Sequence, residues 1–227
     1  MRVTVLTGAG ISAESGIRTF RASDGLWEDH RIEDVATPES FQRDPALVQR
    51  FYNMRRADAA QAQPNAAHRA LADLASRCEL TLITQNVDDL HERGGSPAVI
   101  HMHGRLNGAL CAACEARWTA PGVMSHQDTC PNCGRAATRP DIVWFGEMPY
   151  QMEEIWAAVE AADIFAAIGT SGQVYPAAAL AQHARRHGAE TVELNIAASA
   201  VSRDFLRHLT GPATRIVPEW VAGFSQT

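Results

Sequence analysis

The sequence predicts an α/β fold in which a parallel sheet carries helices on both faces. Short apolar runs rich in β-branched residues recur, and segments of helical periodicity separate most of them. Strands that alternate with helices form parallel sheets, because each crossover helix covers one face. The predicted strands are 3–7, 80–84, 98–101, 141–145, 163–168 and 190–194, and the predicted helices are 45–62, 65–76, 149–162, 174–187 and 202–209.

Composition narrows the class of protein. The 227 residues are 46% hydrophobic and 20% charged, as in an ordinary globular protein with an ample core. A net charge of −6 argues against nucleic acid as a partner, because binding phosphates requires a basic surface. No apolar run approaches the ~20 residues that span a bilayer, and the glycine-rich turn at residue 8 leaves no room for a cleaved leader. We therefore expect a cytoplasmic monomer without a membrane partner.

A glycine-rich turn follows the first predicted strand. Gly8-Ala9-Gly10 and then Ala13 form a G-x-G-x-x-A pattern between a strand and a helix. Glycines at such a turn let backbone N–H groups and a helix N-terminus approach a pyrophosphate. The alternative is that the glycines serve only the turn itself. The motif predicts a Rossmann-like, dinucleotide-binding domain.

Two regions interrupt the alternation of strands and helices. A long excursion, helical in its second half, occupies about 16–62, and residues 105–140 show no clear periodicity but hold four of the five cysteines. The predicted organisation is a Rossmann-like domain of residues 1–104 and 141–227, with 105–140 inserted as a small zinc-binding module.

The inserted segment carries two paired-cysteine knuckles. Cys111-x-x-Cys114 and Cys130-x-x-Cys133 are separated by fifteen residues, a spacing typical of a tetrahedral four-cysteine zinc site. The alternatives are two disulfides, which a cytoplasmic protein disfavours, or a redox pair, which needs only one knuckle. A closed set of four thiolates leaves no position for water, so we predict one structural zinc ion.

Polar residues also follow the second predicted strand. Gln85, Asn86 and Asp88 come after the run 80–84, and the carboxyl ends of parallel strands border the ligand crevice in this architecture. The alternative is that Asn86 or Asp88 caps a helix that begins near Val87. The sequence does not separate these two interpretations.

Three further strand ends show the same feature. His101 and His103 lie two residues apart and share one face of an extended segment, where a histidine is either a general base or a hydrogen-bonded structural residue. Gly104 allows a close backbone approach and favours His103 as the base. Gly169-Thr170-Ser171 and Asn195 end two other strands, so one shared crevice is the simplest explanation.

Taken together, these segments resemble the sirtuin family of NAD-dependent protein lysine deacylases over essentially the whole chain. The motifs are GAGISAESGIRTFR at 8–21, TQNVDDLH at 84–91, HMHG at 101–104, the two cysteine knuckles, VWFGEMP at 143–149, GTS at 169–171 and ELN at 193–195.

The resemblance implies a reaction. NAD would be consumed as a co-substrate: the acyl oxygen of a modified lysine attacks the nicotinamide ribose, nicotinamide leaves, and a histidine acts as base on a ribose hydroxyl. The products would be lysine, nicotinamide and 2′-O-acyl-ADP-ribose, and the partners would be proteins with acylated lysines.

The resemblance also implies roles for particular residues. His103 would be the base, and Asn86 would also belong to the catalytic set. Val143 and Phe145 would flank the lysine tunnel, and Gly146 and Glu147 would pair with the substrate backbone. The implied cofactor-binding residues are Gly8, Ala9, Gly10, Ile11, Ser12, Ala13, Gly16, Phe20, Arg21, Trp27, Gln85, Asn86, Val87, Asp88, His103, Gly169, Thr170, Ser171, Asn195 and Ala213.

Two residues predict the acyl group. Tyr52 and Arg55 are three apart on a predicted helix and share a face, where an arginine beside a phenol can bind a carboxylate. On spacing alone, a solvated arginine and a half-buried tyrosine are the favoured interpretation. The placement resembles the sirtuin branch that removes succinyl and malonyl as well as acetyl groups, and this predicts a desuccinylase.

Two other functions use the same features. A mono-ADP-ribosyltransferase would use NAD and His103 but transfer ADP-ribose to a protein. A non-catalytic NAD-sensing module would recruit partners through the zinc insert. The segment at 143–147 favours the deacylase over the first, and the presence of His103, Asn86 and Asp88 favours it over the second.

Overall fold

A computed structural model describes residues 1–17 and 30–224 and the backbone of 26–27. The strands are β1 (Arg2–Thr7), β2 (Leu26–Trp27), β3 (His30–Arg31), β4 (Glu79–Thr84), β5 (Ile100–His101), β6 (Gly104–Cys111), β7 (Arg117–Thr119), β8 (Thr138–Ile142), β9 (Ile164–Ile168), β10 (Glu190–Asn195) and β11 (Arg207–Thr210). The α-helices are α1 (Ile32–Val35), α2 (Pro38–Arg43), α3 (Pro45–Gln61), α4 (Ala66–Leu74), α5 (Leu90–Arg93), α6 (Met152–Glu160), α7 (Leu180–Arg186) and α8 (Ala213–Ala222).

Six strands form a parallel sheet in the order β11-β10-β9-β1-β4-β5. Alternate residues of β1 face opposite sides: Val3 and Val5 pack with α4 and α8, whereas Leu6 packs with α6 and α7. Helices therefore cover both faces, and the predicted fold class is confirmed. The strand order reverses at β1, so the ligand crevice is expected beyond its carboxyl end.

The excursion and the cysteine segment form a separate layer. β6 pairs antiparallel with β7 and β8 in a three-stranded sheet, and β2 pairs with β3 in a short hairpin. A third apolar cluster joins the excursion to this sheet and includes Phe51, Tyr52 and Trp144. The division into domains at 104 and 141 remains a prediction.

Several predicted elements differ from the structure. The predicted strand 141–145 is instead β8, which ends at Ile142 and belongs to the antiparallel sheet. Residues 105–140 contain most of that sheet, although their sequence shows no alternation, because short strands around a metal knuckle need little apolar surface. The helix predicted at 149–162 begins only at Met152, so Pro149 lies outside it.

The predicted secondary structure differs most from the observed one near the end of the chain. Residues 202–209 were predicted to be helical, but they form a 3₁₀ turn (Ser202–Asp204) and then strand β11. β11 pairs with β10 at the sheet edge, and this pairing overrides local helical propensity. Helix α8, which was not predicted, contains Pro218. Among the described helices, none combines the length and apolar character needed to cross a membrane.

Candidate active site

A cavity of about 900 Å³ opens beyond the carboxyl end of β1, between the parallel sheet and the excursion. It is lined by residues from every predicted strand end and from α3. The predicted site residues on its wall are Gly8, Ala9, Gly10, Ser12, Ala13, Tyr52, Arg55, Gln85, Asn86, Val87, Asp88, His103, Val143, Phe145, Gly146, Glu147, Gly169, Thr170, Ser171, Asn195 and Ala213. The structure thus brings together residues up to 205 positions apart in the chain, from Gly8 to Ala213.

Among the described residues, two of the predicted ones are not on this wall. Ile11 is fully buried in the core beneath the loop, and Gly16 ends a 3₁₀ turn away from the cavity. Phe20 and Arg21 lie outside the described residues, and so does the side chain of Trp27.

One end of the cavity, here called the nucleotide end, is formed by Gly8, Ala9, Gly10, Gly169 and Thr170. A Cβ on Gly10 would lie 2.7 Å from Gly169 Cα, and a Cβ on Gly8 would lie 2.8 Å from Gly169 O. The glycines are therefore required first by the contact between two strand-end loops. Gly169 has φ of +63°, a left-handed conformation that suits glycine.

The polar strand-end residues form a network behind these glycines. Asn86 Nδ2 donates to Gly8 O and to Ser12 Oγ, both at 3.2 Å, and Ser12 Oγ donates to Asp88 Oδ2 at 3.2 Å. Asp88 Oδ1 accepts from Leu90 N at 3.1 Å at the start of α5. Asp88 therefore lines the cavity and also accepts from the first N–H of α5, although the N-cap residue is Asp89 and the helix begins at Leu90 rather than near Val87.

Burial shifts the pKa values of two side chains in this region, Asp88 and His91. Desolvation raises the pKa of the Asp88 carboxyl, although the hydrogen bonds from Leu90 and Ser12 oppose the shift. Beneath it, His91 Nε2 bonds Thr7 Oγ1 at 2.9 Å, and burial lowers the pKa of His91 to about 3. His91 is therefore a neutral structural histidine at pH 7.

His103 lines the cavity and is oriented by the backbone. Its Nδ1 lies 3.1 Å from Gln85 O, and since a carbonyl can only accept, Nδ1 carries the hydrogen. The remaining nitrogen, Nε2, is then an acceptor. Burial lowers the pKa of His103 below its ordinary value, with the Gln85 bond opposing, so the ring is neutral at pH 7. His101 does not line the cavity: its Nε2 bonds Glu92 Oε1 at 2.8 Å.

The opposite end of the cavity, here called the acyl end, is formed by Tyr52, Arg55 and Trp144. Tyr52 and Arg55 are 0% and 5% exposed, so neither is the solvated side chain that spacing alone allows. Trp144 Nε1 donates to the Tyr52 phenol oxygen at 3.0 Å. Burial raises the pKa of Tyr52, so the phenol keeps its hydrogen and can donate it.

Arg139 contacts two residues near the acyl end, Glu147 and Trp144, and was not among the predicted site residues. Its guanidinium bonds both oxygens of Glu147, at 2.7 and 2.9 Å, and lies 3.6 Å from the Trp144 ring centroid. Glu147 also accepts from Trp144 N at 2.8 Å. Burial opposes ionisation of Glu147, but the Arg139 and Trp144 bonds outweigh it and lower the pKa. Because the Glu147 N–H already donates to Trp144 O at 3.0 Å, its backbone carbonyl is the group left for the predicted substrate pairing.

Other lining residues were not predicted. The predicted Asn195 donates from Nδ2 to Thr170 O at 2.7 Å, which joins two strand ends, and the unpredicted loop after Asn195 adds wall residues. The sequence signal for that loop was its position after a predicted strand. The cavity residues not predicted are Glu14, Ile17, Ala36, Ile142, Trp144, Pro149, Gln173, Val174, Tyr175, Leu194, Ile196, Ala197, Ala198, Ser199, Ala200, Gly211 and Pro212.

The four knuckle cysteines form one cluster. Cys111 and Cys133 have sulfurs 3.7 Å apart, as do Cys114 and Cys130, and all four sulfurs lie within 4.8 Å of one another. Tetrahedral zinc–thiolate bonds of ~2.3 Å place sulfurs about 3.8 Å apart, so the donor set fits one zinc ion. Disulfides would require ~2.05 Å and do not fit these distances.

Known proteins share this arrangement. Residues 8–176 match the family model described as the Sir2 family. An NAD-dependent protein deacylase of Escherichia coli O6:H1 (strain CFT073) is 56% identical, covering 97% of this chain and 82% of the relative. One of the same name from Bdellovibrio bacteriovorus is 53% identical, covering 98% and 96%.

Solved structures agree. A Sir2 homologue in complex with ADP-ribose has a TM-score of 0.91 at 40% identity, covering 97% of this chain and 90% of the other. A Sir2 homologue in complex with NAD has a TM-score of 0.89 at 40% identity, covering 97% and 88%. On this similarity of sequence and structure, the chain belongs to the Sir2 family.

Proposed function

We propose that this chain is an NAD-dependent protein lysine deacylase that removes succinyl and malonyl groups in addition to acetyl groups. The observation that carries the proposal is that one cavity holds both the neutral His103 and the buried pair Tyr52 and Arg55. Neutral His103 suits the base that deacylation of any acyl group requires. Tyr52 and Arg55 suit the binding of a negatively charged acyl group.

The nucleotide end is proposed to bind NAD. Its glycines leave room for a ligand beside the main chain, and its walls are polar at Ser12, Asn86 and Thr170. A dinucleotide requires both features. When bound, NAD supplies a glycosidic bond whose cleavage releases nicotinamide and leaves an electrophilic ribose carbon. Asn86, held by Gly8 and Ser12, has a fixed side-chain orientation at this position, which supports a role in ordering the reacting groups.

His103 is proposed to remove a proton from a ribose hydroxyl. The Gln85 carbonyl fixes the hydrogen on Nδ1, so Nε2 is the basic atom. A lowered pKa keeps the ring neutral at pH 7 and therefore able to accept the proton.

The acyl end is proposed to bind the carboxylate of a succinyl or malonyl group. Arg55 supplies a planar guanidinium whose N–H groups can donate to both carboxylate oxygens, and Tyr52 supplies a phenol hydrogen. The Trp144 N–H already occupies the phenol oxygen as donor, which directs the phenol hydrogen to a different group. Ala57 and Ala59 lie farther along α3, and neither lines the cavity.

The test compares two acyl groups on one peptide. Arg55→Met is expected to lower kcat/KM for succinyl-lysine by about 10–100-fold, the value of a charged hydrogen bond, and to leave acetyl-lysine turnover within a few-fold. Unchanged succinyl turnover with reduced acetyl turnover would contradict the acyl assignment.

The products separate the deacylase from its alternatives. Mass spectrometry is expected to find free lysine peptide, nicotinamide and O-acyl-ADP-ribose in equal amounts. ADP-ribose attached to protein would indicate a transferase, and NAD binding without nicotinamide release would indicate a sensing module.

A further inference from the structure

A second cluster of metal-ligating side chains lies on the outer surface, away from the cysteines and the cavity. Glu160 is the last residue of α6, His183 lies in α7, and His187 immediately follows that helix. One ligand atom from each of the three side chains lies within 4.8 Å of the other two. None of the three lines the cavity.

We propose that Glu160, His183 and His187 bind one divalent transition-metal ion, of which zinc is the chemically best suited. Two imidazoles and one carboxylate form a recognised donor set for zinc, with an open fourth position for water. The ion would connect α6 to α7 across the helix layer that covers one face of the sheet.

The geometry is close to what coordination requires. His183 Nε2 and Glu160 Oε1 are 2.9 Å apart, and zinc bonds of ~2.0–2.1 Å place ligand atoms about 3.3 Å apart. His183 and His187 are four residues apart in sequence, one helical turn, with ring centroids 4.4 Å apart. Small side-chain rotations of exposed groups therefore suffice to enclose an ion.

Two neighbouring contacts prepare the histidines as ligands. His187 Nδ1 lies 3.0 Å from His183 O, and this carbonyl bond places the hydrogen on Nδ1 and the free lone pair on Nε2. Trp156 packs edge-on against His183 with centroids 4.7 Å apart, which limits the motion of that ring. An orienting hydrogen bond to the second ring nitrogen is typical of metal-bound histidine.

Zinc stoichiometry tests the proposal. Full-length, zinc-loaded protein is dialysed against micromolar zinc and its metal is measured by atomic emission. We expect about two ions per chain in the wild type, one of them at the four cysteines, and about one in His187→Ala and in His183→Ala. The same stoichiometry in all three proteins would overturn the proposal.

A matched control is His208→Ala, because the exposed His208 pairs with the buried Glu193 at 3.1 Å but has no second histidine in that cluster among the described residues. It is expected to keep about two ions. Equal loss in this control would show non-specific binding and would also overturn the proposal.

Trp156 provides a second readout. Added Ni²⁺, a paramagnetic ion, is expected to quench the fluorescence of this indole in the wild type and not in His187→Ala. Trp156→Phe is expected to lose the quenching but keep the second zinc ion. Quenching that persists in His187→Ala would count against the site. Unchanged deacylation by His187→Ala, which lies outside the cavity, verifies that the variant is folded.

Discussion

The two ends of the cavity are built in different ways. The nucleotide end consists mainly of backbone, where Gly8 and Gly10 pack against Gly169 and no side chain intervenes. The acyl end consists of large side chains held by other side chains: Arg139 stacks on Trp144, which donates to Tyr52. If the proposed function holds, contacts at the nucleotide end act on every acyl substrate equally, whereas the linked side chains at the acyl end act only on the acyl group. Changes at the two ends should therefore have different signatures.

The largest effect is expected at His103, the proposed base. His103→Tyr should lower kcat by about 10²–10⁴-fold for succinyl and acetyl peptides alike. Steady-state turnover of both peptides measures this, with circular dichroism as the folding control. Undiminished turnover by the folded variant would remove His103 from the reaction.

Gly10→Ala should damage the nucleotide end alone. The added Cβ would meet Gly169 Cα at 2.7 Å, and this main-chain atom cannot rotate away as a flexible side chain could. Overpacking of this kind costs about 1–3 kcal/mol, so we expect a lower thermal midpoint and a raised KM for NAD, equally for both acyl peptides. Gly122→Ala is the matched control, because its Cβ would meet nothing within 4 Å. A loss restricted to one acyl peptide would contradict the comparison.

Trp144→Phe should damage the acyl end alone. It keeps an aromatic ring under Arg139 but removes the N–H that orients Tyr52. A neutral hydrogen bond is worth about 0.5–1.5 kcal/mol, so kcat/KM for succinyl-lysine should fall about 2–10-fold. Acetyl-lysine turnover is the internal reference and should change less. An equal fall for both would indicate that Trp144 only supports the fold.

The smallest expected effect is on the pH profile. Desolvation lowers the pKa of His103, and the base acts only when neutral, so activity should persist as pH falls and disappear below the ordinary histidine pKa of about 6.5. The pH dependence of kcat/KM for an acetyl peptide measures this without titrating a substrate carboxylate. An apparent pKa above 6.5 would contradict the buried environment of His103.

The sequence predicted the nucleotide end of the cavity more directly than the acyl end. The G-x-G-x-x-A turn and the polar strand ends of the nucleotide end are each contained in a short stretch of sequence. Local patterns were therefore enough to predict them. Tyr52 and Arg55 were identified through a resemblance, and their spacing alone did not distinguish a pocket from a solvated face. Arg139 and Trp144 were missed as supports, because their contacts join residues of α3, β8 and the following loop that no local pattern connects.

The sequence by itself determined the alternation of buried strands and helices, the cysteine spacing that suits one metal ion, and the residues that follow each strand. These are local properties, set by periodicity and side-chain type. Only the tertiary structure decided that 207–210 form an edge strand, that Gly10 faces Gly169, and that Tyr52 is buried beneath an indole N–H. Each of these depends on a partner distant in the chain, and packing against that partner outweighs the local preference.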